Sequence, residues 1–200
     1  MPLKRDPKQG YVGNRTNTRL VGYNSGKLRW SWDARALNSR GVWAGGVGPS
    51  FPDVTTGVLY ANDNTPVITE TYVTEIMLPF PCRINGLVIQ NGSASAGNIT
   101  VALADSDGNP LAGIVSASTA QGTANTLQKI PFALPYDAEG PARYFAMIQF
   151  SSASARYRGH KIGHHYCAAI TGQTYGTIKA FTPPTAWAAA GSFHAGFYTN

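Results

Sequence analysis

"GNITVALADSDGNPLAGIV", residues 97–115, decides how the rest of the chain reads. Two apolar, strand-sized runs flank the pair Asp107–Gly108. An Asp-Gly pair between such runs predicts a hairpin, because glycine takes the left-handed backbone a tight turn needs. Upstream, "VITETYVTEIML" (67–78) places Ile68, Tyr72, Ile76 and Leu78 on one parity, the period of a half-buried strand. "INGLVIQNG" (84–92) is an apolar run closed by turn residues. Downstream come "TLQKIPFALPY" (126–136), "ARYFAMIQFSS" (142–152), "ARYRGHKI" (155–162), "HYCAAI" (165–170), "YGTIKAF" (175–181) and "GSFHAGFYTN" (191–200). Gly, Pro, Asn or Asp separate these pieces, and no convincing amphipathic helix interrupts them. Short strands with regular turn chemistry predict an all-β, antiparallel β-sandwich or barrel. About eight strands are expected, the number a jelly roll uses. The expected fold is therefore a jelly-roll-like sandwich over residues 67–200, preceded by an extended N-terminal arm over 1–66.

Charge sets the arm apart. The chain of 200 residues has 16 Lys and Arg against 10 Asp and Glu, a net charge of +6. Residues 1–45 hold nine of the basic residues and only Asp6 and Asp33 as acids, for +7; residues 46–200 sum to −1. "KQGYVGNRTNTRLVGYNSGKLRW" (8–30) has no acid at all and holds no period for long. "WSWDARALNSRG" (30–41) reads as a turn or two of helix ending at Gly41. Trp30, Trp32 and Trp43 make a fully solvated tail a poor reading, since indole is costly to leave in water. An ordered arm that docks on a neighbour fits better. Its backbone would add to a sheet edge, Arg15, Arg19, Lys27, Arg29, Arg35 and Arg40 would pair with carboxylates, and the tryptophans would anchor. A solvated nucleic-acid tether is disfavoured, because the charges are dispersed among Gly, Asn and Thr and no recognition motif is present. Only 13% of residues are charged, about half the usual share, which suits surface hidden in an assembly.

Motifs for chemistry are few. Cys82 and Cys167 stand far apart and read as buried free thiols, with one long-range disulfide as the alternative. "GHKIGHHYC" supplies metal-ligand types in His160, His164, His165 and Cys167, but its glycines oppose the helix that would bring two histidines onto one face. "DSDGNP" (105–110) lacks the spacing of a calcium loop, with Gly108 fourth and Ser116 twelfth counting from Asp105. Glu70 and Glu75 would lie on opposite faces of a strand and do not form an acid/base pair. Neither a nucleophile elbow nor a phosphate-binding loop occurs. Trp187, Phe193, Phe197 and Tyr198 offer a possible sugar platform, against a buried or inter-subunit contact. Neither an apolar leader after "MPLKRDPKQG" nor an apolar run of membrane-spanning length is visible, so synthesis in a cytoplasm and no membrane partner are expected.

The order of these pieces carries a resemblance. "TEIMLPFPCRINGLVIQNGSASAGNITVALADSDGNPLAG", then "KIPFALPY", then "GPARYFAMIQFSSASARYRGH", and the ending "TPPTAWAAAGSFHAGFYTN" resemble the jelly-roll-like β-sandwich proteins of tailed-bacteriophage virions. Those include head decoration (cement) proteins and fibre or appendage domains. The resemblance covers roughly residues 67–200 and rests on strand and turn patterns; residues 1–66 have no counterpart in it. It implies a non-enzymatic virion structural protein on the capsid surface, with no cofactor. Its partners would be the major capsid protein and itself, as a homotrimer. The alternative is a receptor- or carbohydrate-binding module of a tail fibre or of a tail or neck appendage, with Trp187 as its sugar contact.

Overall fold

The computed structural model describes residues 11–14, 19–24, 27–33, 42–43, 61–78, 81–160 and 166–198. Every strand pairing among them is antiparallel, and none of these residues is helical. The chain divides into two compact units, Met1–Gly41 and Val42–Asn200.

The first unit holds β1 (Tyr11–Asn14), β2 (Arg19–Asn24) and β3 (Lys27–Asp33), which form one sheet in that order. Trp30 and Trp32 belong to β3, opposite Gly22 and Leu20 of β2. The helix expected from "WSWDARALNSRG" therefore does not begin there. Aromatic residues favour a pleated ladder over a helix, and β2 supplies the ladder partner. Residues 34–41 of that stretch lie outside the described residues.

The second unit is built from β4 (Val42–Trp43), β5 (Ala61–Asn64), β6 (Thr71–Leu78), β7 (Cys82–Gln90), β8 (Asn98–Ala104), β9 (Pro110–Val115), β10 (Thr119–Ala120), β11 (Leu127–Ala138), β12 (Ala142–Phe150), β13 (Tyr157–His160), β14 (Cys167–Ile170) and β15 (Ala195–Tyr198). One sheet runs β10-β8-β12-β6-β14, with β9 also on β8; a second runs β11-β7-β15-β4; β13 and β5 make a small third. Strands β4 and β5, from the segment read as arm, thus hydrogen-bond with β15 and β13 of the body. The described residues of 67–200 hold ten strands rather than about eight; the two-residue β10 is too short to leave a sequence signature.

Alternation explains the core. On β6, Tyr72, Ile76 and Leu78 are buried as their parity predicts, while Met77 is 57% exposed. Ile68 falls in the turn before the strand and is exposed. Ile84, Leu87 and Ile89 of β7, Ile130 of β11 and Phe197 of β15 meet Ile99, Val101 and Leu103 of β8 and Ile148 and Phe150 of β12 in one cluster. The two larger sheets therefore share a core. Tyr157 stacks on Phe150 at 5.2 Å and tilts against Tyr72 at 5.1 Å within it. Gly86 sits mid-strand because the backbones of β7 and β11 approach closely; a Cβ there would overlap the Ile130 carbonyl.

The six-stranded sheet is buried on its other face too. Val73, Ala102, Ala104, Phe145 and Met147 form a second cluster with Phe181. That explains why β8 and β12 read as nearly unbroken apolar runs. The cover is residues 171–185, which contain no strand. "YGTIKAF" was expected as a strand, but Gly176 takes φ +82° and Thr174 and Thr177 close a tight turn on each other. The predicted hairpin at Asp107–Gly108 is present: Gly108 has φ +84° and its N–H donates to the Asp105 carbonyl at 3.2 Å.

Candidate functional site

The division of charge coincides with the division of structure. All nine basic residues counted in the N-terminal segment, and both of its acids, lie within Met1–Gly41, so that unit carries +7. Its sheet displays Arg19 on β2 opposite Asp33, and Lys27 and Arg29 on β3. Trp30 and Trp32 are also on β3, whereas Trp43 is on β4 and pairs with Gly196 of the body. Arg15, Arg35 and Arg40 lie outside the described residues.

The body carries seven basic and eight acidic residues and largely neutralises itself. Arg158 lies 3.6 Å from Asp63, Arg143 3.9 Å from Glu75 and Arg83 4.0 Å from Asp137. Glu70 accepts the Tyr72 hydroxyl at 2.8 Å. Glu75 accepts the Tyr166 N–H at 3.1 Å. Glu70 precedes β6 instead of lying inside it, and each carboxylate has its own local partner.

One end of the body is a polar hub that sequence reasoning missed. Asn91 is fully buried. Its amide donates to the Thr123 carbonyl at 3.2 Å and to Gln128 Oε1 at 3.1 Å. Gln121 Nε2 donates to the Arg156 carbonyl at 2.7 Å. Nearby, Asp63 accepts both the N–H and the hydroxyl of Ser93. Burial pushes the Asp63 carboxyl up, but the Ser93 bonds together with Arg158 and Arg156 outweigh it and hold the group below its ordinary value. Arg158 also donates to Asn125 Oδ1 at 2.6 Å, and Asn125 is the one described non-glycine residue at positive φ. The only sequence trace of this hub is Asn91-Gly92, which reads as an ordinary turn.

The remaining candidates separate. Phe193 and Phe197 are core residues, 1% exposed, and do not present a platform. Tyr198 lies under the Lys129 ammonium at 5.2 Å. Trp187 is half-buried, in a loop held to Cys167: the Cys167 thiol donates to the Ala188 carbonyl at 3.1 Å, and the Cys167 N–H to that of Ala186 at 3.2 Å. Both cysteines are free; Cys82 is half-buried and Cys167 buried, and burial pushes both thiols up. His160 packs its ring 4.2 Å from that of the buried His194. Gln90 Oε1 lies 2.6 Å from His194 Nδ1, and an amide oxygen only accepts, so this ring holds its proton on Nδ1. His164 and His165 lie outside the described residues, and no three His, Cys, Asp or Glu side chains among the described residues gather as metal ligands do. In "DSDGNP", Asp105 takes the N–H groups of Asp107 and Asn109 at 2.9 Å, so that carboxylate shapes the turn.

No protein-family profile, curated protein or solved structure matches this chain.

Proposed function

We propose that the chain is a non-enzymatic structural protein of a tailed-phage virion, a decoration or cement protein. It docks on the major capsid protein through its basic N-terminal part and associates with itself, as a homotrimer, on the capsid surface. The body, whose chain crosses repeatedly between two sheets with one core, is the jelly-roll-like β-sandwich of this reading.

A single observation carries the proposal: the +7 excess is confined to Met1–Gly41, while the body is near neutral, with three ion pairs among its described residues. A segregated excess steers association with an acidic surface, and guanidinium forks hold carboxylates once there. A self-neutralised body suits close packing beside copies of itself.

The test uses the full chain and heads of the encoding phage assembled without it. Wild type is expected to saturate these heads at a fixed ratio, seen by electron microscopy as density at one lattice position. The triple variant Arg19→Glu, Lys27→Glu, Arg29→Glu is expected to bind about tenfold more weakly or worse. Equal binding by the variant, or heads that stay bare with wild type, overturns the proposal.

A further inference from the structure

The geometry points to residues 171–185 being a strap that lifts as a unit, baring the second apolar face of the six-stranded sheet while both sheets stay folded. Beneath it lie Val73, Ala102, Ala104, Phe145 and Met147. Phe181 is the strap's one buried residue, edge-on to Phe145 at 5.5 Å.

Besides the Gln173 N–H, which donates to the Thr69 carbonyl at 2.8 Å, three latches hold the strap down. The first is Gln149, 1% exposed on β12. Its amide nitrogen donates to Thr71 Oγ1 at 2.8 Å and to the Thr177 carbonyl at 3.0 Å, and its oxygen accepts the Gly176 N–H at 2.8 Å. The second is the Tyr175 hydroxyl, 3.2 Å from Thr100 Oγ1 and 2.7 Å from Ser118 Oγ. The third is the Gly108 turn, whose carbonyl accepts the Phe181 N–H at 3.1 Å; a Cβ on Gly108 would overlap the Phe181 carbonyl.

These latches are local, and the strap adds no strand to any ladder. Most of its own residues are exposed, so lifting it bares the one apolar face beneath it and breaks the latches, while every ladder stays paired. The ladders β12·β6 and β12·β8 continue over the whole of β12 and do not depend on it. A segment that joins no ladder opens at lower free energy than the core it covers.

The chain's own methionines read this motion. Met77 is 57% exposed, whereas Met147 is 1% exposed under the strap. Dilute peroxide is applied to the full chain, and oxidation at each site is followed by mass spectrometry. Met77 is expected to oxidise at the rate of a free side chain. Met147 is expected to oxidise more slowly, at a rate that climbs with denaturant less steeply than global unfolding does. Gln149→Ala should speed Met147 about tenfold and Tyr175→Phe about threefold, leaving Met77 as it was. Tyr175→Phe removes one exposed hydroxyl and keeps the test open if Gln149→Ala fails to fold. A Met147 rate that climbs with denaturant in step with global unfolding, or that ignores Tyr175→Phe, overturns the inference.

Discussion

On one side of β12, Tyr144, Ala146, Ile148 and Phe150 point into the space between the sheets; on the other, Arg143, Phe145, Met147 and Gln149 point toward the strap. From Tyr144 to Phe150 every residue is buried, so burial alone does not tell the faces apart. What differs is the cover. The inner face is closed by a second sheet whose strands are fixed by ladders, that of β11 on β7 being interrupted between Pro131 and Tyr136. The outer face is closed by a stretch pinned at four places. Equal loss of water contact thus goes with unequal resistance to opening, because resistance depends on how many other bonds must break with the contact.

The largest expected difference between the faces comes from deleting a ring on the inner one. Phe150→Ala removes a fully buried ring stacked on Tyr157, in a region with no freedom to collapse. It should cost about 3–5 kcal/mol in urea unfolding. A cost near 1 kcal/mol would break the comparison. Phe181→Ala, on the outer face, removes an equally large ring, 9% exposed, from a cover that can settle. The expected cost is about 2 kcal/mol, with an unchanged dependence on urea. Equal costs for the two variants would mean that the strap belongs to the global unit.

The smallest effect needs alkali. Burial, and then the neighbouring Tyr136 hydroxyl, push the Tyr144 phenol from 10.0 up to about 12. Burial likewise raises Tyr72 and Tyr157, both in the inner core. A raised phenol pKa means that the unfolded chain loses its proton first. The contribution of Tyr144 is thus complete below pH 10 and lost as pH rises toward about 12. Ultraviolet titration should show these tyrosines ionising late, and thermal melts should fall over the same pH range. Melts that stay flat from pH 10 to 12 would contradict this burial.

Much of this was legible from residue order. The parity of Tyr72, Ile76 and Leu78, and the Asp107-Gly108 turn, state their structure directly, because alternation and turn chemistry are local rules. The ending hid a legible pattern: Phe193, Ala195 and Phe197 are two apart, the mark of a buried strand face, yet the cluster of aromatics invited a reading as a platform. The strap was not legible. "YGTIKAF" has strand propensity, and only the tertiary partners Gln149, Gly108 and Phe145 decide that it lies flat across a sheet. Asn91 and Gln149 were equally hidden, since a polar side chain is expected outside unless its partners are known. At the candidate docking part, the charge count marks residues 1–45 and the structure divides the chain after Gly41, whereas pairing of β4 and β5 with the body joins residues far apart in the chain and leaves no local trace.

The placement of charge has a practical side. The sequence isoelectric point is about 9.4, so a cation exchanger is expected to hold the whole chain at neutral pH. Almost all of that retention resides in the first forty-one residues. A protease cut after Gly41 would leave a fragment with a net charge of −1, which would run through the same column and lose the mutual repulsion that keeps concentrated protein in solution. Elution position is thus a direct report on whether a preparation still has its front end.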